Sequence, residues 1–198
     1  MEDEQIAYDT LVGPSPFDPE SWASAVQTAL VPHWMDAYRA VTPWTPEVME
    51  IRQGALTYLF DGAPTFDGET TSGFDDRVVA VWGSSCRPVH RRDRGRLAGF
   101  IPNPRSWSVR QRDRGHFVSH AAGGGLDLNL FPQHAALNRG RSEDGRRWRR
   151  MERLIASRPG TPLFVRPIYR DPTWTPALLE IGFWRDGALR WERVLNSS

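Results

Sequence analysis

The chain has 198 residues, of which 25 are basic and 24 acidic, giving a formal net charge of +1, and 39% are hydrophobic, including nine Trp and nine Phe. That length and aromatic content support one substantial core and exclude a disordered polyampholyte; the single Cys86 excludes an internal disulfide and a multi-cysteine zinc site. The balanced charge hides a split: residues 1–86 hold three Arg and 14 acidic residues, whereas residues 87–198 hold 22 Arg and ten acidic residues.

Met1-Glu2-Asp3-Glu4-Gln5 lacks a basic region followed by an apolar one, so no Sec-type signal is expected, and no stretch reaches the ~20 apolar residues of a membrane helix. Action in the cytosol or export by a non-Sec route follows as an expectation. Pro14–Pro19 reads as a turn-rich lead into an amphipathic helix from Glu20 to about Ala40, broken or kinked at Pro32. Thr45-Pro46-Glu47 reads as the start of another short helix. Apolar runs at Ala55–Phe60 and Val78–Trp82 read as strands, separated by a loop rich in Gly, Thr and Asp. Arg87–Arg96 is dense in arginine. From Gly115 the pattern is strand, a Gly123-Gly124-Gly125 turn, a strand over Asp127–Phe131 and a helix from about Ser142 to Ala156. Strands near Leu163–Arg170, Ala177–Trp184 and Leu189–Val194 follow, the last two joined by Asp186-Gly187 as a hairpin turn. The fold class expected is α+β, with residues 1–50 as a helical, acidic extension and residues 51–198 as the main domain.

Chemistry concentrates in four segments: Asp113-Arg114-Gly115-His116, Asn129-Leu130-Phe131-Pro132-Gln133, Leu137-Asn138-Arg139-Gly140, and Trp148 with Glu152. His116 carries the one side chain there that titrates near neutral pH, as a base accepting a proton from water must. Taken alone, a histidine in a strand is more often a hydrogen-bonded structural residue. Asn138 offers a neutral amide oxygen of the kind Mg²⁺ accepts while keeping its water, although taken alone an Asn before Arg-Gly reads first as a turn or helix-cap residue. Glu152 can be placed by helix geometry: with Trp148 as origin and ~100° per residue, Met151, Ile155 and Glu152 fall within ~60°, and Arg146, Arg149, Arg150 and Arg153 at ~100–200°. A carboxylate on the apolar face needs a partner, either an internal arginine or a hydrated cation. The outer arginines, with Arg139 and Arg141, form a cationic track suited to phosphates, or a merely solvated face. All 25 basic residues are Arg, which binds phosphate bidentately and stacks on bases.

In their order and spacing, these segments resemble the DNA/RNA non-specific endonucleases, a branch of the ββα-metal (His-Me finger) nucleases. The resemblance covers residues 112–155 in detail. It implies a ββα-metal core at about 112–157 packed on an antiparallel sheet. It also implies a metal-dependent, sequence-non-specific endonuclease acting on DNA and RNA. His116 would be the general base and Arg114 a phosphate ligand that offsets developing charge. Asn138 and Glu152 would hold one Mg²⁺, or Mn²⁺ in its place. Arg139 and Arg149 would bind substrate, and Asp113, Asn129 and Gln133 would support the site. Two departures stand out: the interval from His116 to Asn138 is short, and Arg139–Arg147 lengthens the link to Trp148. An HNH-type nuclease using His116, Asn129 and His134, and an inactive nucleic-acid-binding module on the same fold, are the alternatives. A toxin effector with an immunity protein as inhibitor, a host-defence effector and a secreted nutritional nuclease each fit such an activity, and the sequence does not choose among them; no membrane partner is expected.

Overall fold

The computed structural model describes residues 6–12, 19–42, 45–62, 65–66, 69–70, 76–88, 111–171 and 173–197. The turn-rich lead at 14–18, the centre of the Gly/Thr/Asp loop and most of the arginine-dense 87–96 segment lie outside those residues. In chain order the strands are β1 (Val48–Gln53), β2 (Leu56–Asp61), β3 (Thr65–Phe66), β4 (Glu69–Thr70), β5 (Arg77–Ser84), β6 (Arg112–His116), β7 (Leu130–His134), β8 (Pro162–Ile168), β9 (Leu178–Arg185) and β10 (Ala188–Leu195). Six of them form one sheet in the order β1-β2-β5-β8-β9-β10, each antiparallel to its neighbours. Two separate ribbons, β3-β4 and β6-β7, hold the other described strands.

The central strands carry near-continuous apolar runs because both faces of the sheet are covered. Tyr58, Val81, Leu163, Val165, Ile181 and Phe183 pack on one face against Phe117, Phe131, Leu137, Trp148, Met151 and Ile155. Their strand neighbours Leu59, Trp82, Phe164 and Trp184 point the other way, into a second cluster with Tyr8, Trp22, Val26, Leu30, Trp34 and Tyr38. The two-residue repeat of a strand sorts these side chains between the layers. The architecture is α+β: helices over one face and the β6-β7 ribbon with its following helices over the other.

The first layer is helical throughout Pro19–Val41 and does not break at Pro32. Residues Pro19–Ala25 (α2) and Val31–Val41 (α3) flank a π-helical turn at Val26–Leu30, where Val31 N–H reaches back to the carbonyl of Val26. Proline has no N–H and its ring crowds the carbonyl four residues earlier; the widened turn absorbs that misfit and the helix continues. A four-residue helix, α1 (Tyr8–Leu11), precedes them. Polar anchors fasten this layer to the sheet: Tyr38 Oη donates to Asp61 at 2.6 Å, Trp22 Nε1 to the Leu163 carbonyl at 3.3 Å, and Tyr8 Oη to Glu180. Glu180 is fully buried and also accepts from Arg166 (2.9 Å) and Arg193 (2.6 and 2.9 Å). Two arginines and a phenol thus compensate one interior carboxylate, which unpaired would be strongly destabilising.

Two local expectations are corrected. No helix starts at Thr45-Pro46-Glu47; these residues lead into β1, which closes on β2 through a turn at Gly54, whose φ is +62°. Asp127–Asn129 is a single 3₁₀ turn and not the start of a strand, which begins at Leu130. The Asp186-Gly187 hairpin forms as expected, with φ of +55° and +77°.

Candidate active site

The β6-β7 ribbon, the 3₁₀ turn before β7 and the helices behind the ribbon carry the candidate residues. In the ribbon's register Asp113 lies opposite Gln133, Gly115 opposite Phe131, and His116 opposite Leu130. Glycine at 115 is required sterically: a Cβ there would strike the side chain of Gln133, which is buried across the ribbon. After β7, His134 caps the short helix α4 (Ala135–Asn138) by accepting from Ala136 N–H at 3.3 Å. The turn after α4 leads to Ser142, which caps α5 (Glu143–Ala156) by accepting from Gly145 N–H at 3.0 Å. Glu143 and Asp144 in the first turn complement the helix dipole. Gly145 lets α5 sit directly on α4, since a Cβ there would lie 2.7 Å from the carbonyls of Ala136 and Leu137.

Asn138, at the end of α4, donates through Nδ2 to Asp113 at 2.9 Å. Arg139 forks onto the same carboxylate, Nε at 2.9 Å and a terminal nitrogen at 2.6 Å. Burial opposes ionisation of Asp113, but the hydrogen bonds from Arg139 and Asn138 outweigh it and hold its carboxyl below the usual range. Arg149, on α5, crosses to this turn and donates to the Arg139 carbonyl at 3.3 Å.

On α5, Trp148, Met151 and Ile155 are buried and Arg146, Arg149, Arg150 and Arg153 exposed, with Glu152 half-buried between the two faces. Glu152 forms no ion pair among the described residues. Its carboxylate accepts from the Trp148 indole N–H and feels the charge of Arg149. Burial dominates both and raises its pKa from 4.5 to about 7. Glu152 lines a cavity of about 10 Å³ together with Phe117, Val118, Ser119, Ile155 and strand residues of the main sheet, room for about one water. The residues just after His116 and the carboxylate of α5 therefore share one recess.

His116 ends β6 and is 8% exposed; Arg114, two residues earlier on the same side of the strand, is half-buried. Asn129 is fully buried and its amide is committed to the chain that follows His116. Its Oδ1 accepts from Val118 N–H at 2.9 Å, and Nδ2 donates to the carbonyls of Val118 (2.8 Å) and Gly125 (2.9 Å). Among the described residues, no three His, Cys, Asp or Glu side chains converge on one point, and no helix is long and apolar enough to cross a membrane.

Two site neighbours escaped the sequence reading. Ser119 lines the Glu152 recess, and its proximity to the motif was the only signal available. Asn196 accepts from His134 N–H at 2.7 Å and donates to the Pro132 carbonyl at 3.0 Å, tying β7 to the main sheet; at such sequence separations no local pattern announces it. No protein-family model matches the chain, and no curated protein matches it.

Proposed function

We propose that the chain is a metal-dependent, sequence-non-specific endonuclease of the ββα-metal type, hydrolysing phosphodiester bonds of DNA and RNA. The observation that carries the reading is that two adjoining elements each carry a side-chain oxygen with no cationic partner among the described residues. Asn138 has its amide nitrogen committed to Asp113, leaving its oxygen as the end free for a cation. Glu152 is a half-buried carboxylate without an ion pair among the described residues, which a divalent cation would stabilise in its charged form. This mixed donor set suits Mg²⁺, a hard ion that prefers oxygen.

When bound by Asn138 and Glu152, the ion would polarise the scissile phosphate and offset its charge. His116 takes the proton of the attacking water at a ring nitrogen. Arg114, on the same side of β6, hydrogen-bonds phosphate oxygens as negative charge develops. Gln133 and Asn129 hold the ribbon and the loop beyond His116. Arg149 and the remaining nitrogen of Arg139, with Arg146, Arg150 and Arg153, hold the substrate backbone. Interactions of this kind are with phosphate, so they do not discriminate sequence. In the HNH alternative Asn129 and His134 would be central, whereas here Asn129 is spent on backbone groups and His134 on a helix cap.

An unspecific nuclease must be exported, restrained or triggered in the cell that makes it, so a toxin or defence role with an inhibitor protein accompanies this proposal. The test is digestion of plasmid and total RNA by purified protein in Mg²⁺ or EDTA, beside His116→Ala. Cleavage that needs metal and disappears in the variant supports the reading. Intact substrate in Mg²⁺, or equal cleavage by the variant, overturns it.

A further inference from the structure

Asn138 has two ends of nearly equal shape and opposite chemistry. Its Oδ1 attracts a cation; its Nδ2 repels one. Which end is left open to a cation is settled by the residue bonded to the amide. An ionised carboxylate has no proton to donate, so Asp113 can bond only the Nδ2 end, and that bond is made at 2.9 Å. The carbonyl end is thereby directed away from Asp113. Arg139 steadies the arrangement by gripping both carboxylate oxygens, Nε at 2.9 Å and a terminal nitrogen at 2.6 Å. The backbone of the turn is itself fixed: Arg139 N–H bonds the Ala135 carbonyl at 2.9 Å, and Gly140 N–H the Leu137 carbonyl at 3.1 Å.

We infer that Asp113 is a positioning residue that presents the Asn138 oxygen to the cation, with Arg139 as the counter-ion that holds Asp113 in place. The inference rests on the proposed nuclease reading, in which Asn138 is a cation ligand. Asp113→Asn removes the asymmetry, because an amide at 113 can donate or accept and Asn138 is then free to turn. The double variant Asp113→Asn with Asn138→Asp restores it, since a carboxylate presents an oxygen at either end. Arg139→Gln leaves the Asp113–Asn138 bond in place and is the milder change.

Mn²⁺ binding to the full chain, followed by calorimetry and by loss of the free-ion spin-resonance signal, reads this without cleavage. Asp113→Asn is expected to weaken binding ~10- to 100-fold, the range for partners that orient a metal ligand, with its melting temperature near that of the wild type. The double variant is expected to regain wild-type affinity, and Arg139→Gln to lose less than Asp113→Asn. If the wild type binds no Mn²⁺, the nuclease reading falls first. If it binds and Asp113→Asn binds equally well, or the double variant stays weak, the role of Asp113 alone is overturned. Should Asp113→Asn not fold, the Asn138 side-chain amide of the wild type decides by NMR: slow hydrogen exchange supports the bond to Asp113, and exchange at the rate of a free amide overturns it.

Discussion

Replacing Glu152 by Gln should make the metal-free protein more stable while abolishing the proposed cleavage. Burial raises the Glu152 pKa from 4.5 to about 7, so the native state keeps this proton to a higher pH than the unfolded chain does. The stabilisation is fully present below pH 4.5 and is lost as pH rises through about 7. The whole step corresponds to ~3 kcal/mol, and solvent reaching the half-buried carboxylate brings it to ~1–2 kcal/mol. Gln has nearly the same shape, can accept the Trp148 N–H and cannot ionise. At pH 8 in EDTA, Glu152→Gln should therefore melt ~2–8 °C above the wild type, and the two should converge near pH 4.5. Mg²⁺ at pH 8 should raise the wild type and leave the variant where it was. Thermal melts at the two pH values, with and without Mg²⁺, carry the comparison. A variant less stable than the wild type at pH 8 in EDTA would mean that the protein already compensates this carboxylate, and the cation would lose its rationale.

Three further outcomes follow from the packing. Asn129→Ala strands one donor and two acceptors around Val118 and Gly125 and should cost ~2–4 kcal/mol in a urea melt; a loss under ~0.5 kcal/mol would show that water replaces the amide. Removing residues 1–45 bares Trp82, Phe164 and Trp184 and takes Tyr8 from Glu180. The remainder should bind a hydrophobic dye and melt without cooperativity, and a sharply melting fragment would refute the helical layer as part of the core. Changing Arg146, Arg149, Arg150 and Arg153 together to Ala, in a His116→Ala background, should flatten the salt dependence of DNA binding by ~0.9 for each phosphate that is no longer neutralised. An unchanged slope, measured by fluorescence anisotropy, would assign these side chains to solvent alone.

Much of the fold was legible because it is written locally. Helix α5 declares itself through Ser142 as cap, acids in the first turn and an apolar stripe from Trp148 to Ile155; the β9-β10 hairpin declares itself through Asp186-Gly187. Strand β1 did not, because Val48–Gln53 is an edge strand with its residues half-buried or exposed, and Thr45-Pro46-Glu47 imitates a helix start. Only its pairing with β2 decides the matter. At Pro32 the rule that proline breaks helices was outweighed by burial of Leu30 and Trp34 on either side, which makes a wide turn cheaper than an interruption. In the candidate site, residue types and order were readable, and so was the inward turn of Glu152. The fork of Arg139 on Asp113 was not, because it joins residues 26 positions apart and either partner had a plausible free role.

The hydrogen bond between Tyr8 and Glu180 spans 172 positions, and the Asn196 bonds to β7 span 62 and 64. Closing loops of that length is slow, and chains rich in such pairings fold late. Among the described strands β10 pairs only with β9, yet its residues Arg193 and Leu195, with Asn196 just beyond, reach Glu180, Asp144 and β7. A nascent chain that has emerged only as far as α5 holds the whole Asp113–Glu152 constellation in sequence and lacks the strands that would press it into shape. Assembly of the site thus waits on residues 162–196, and under the proposed nuclease function that delay would act as a timing device set by topology, since the chain is made beside ribosomes and messenger RNA.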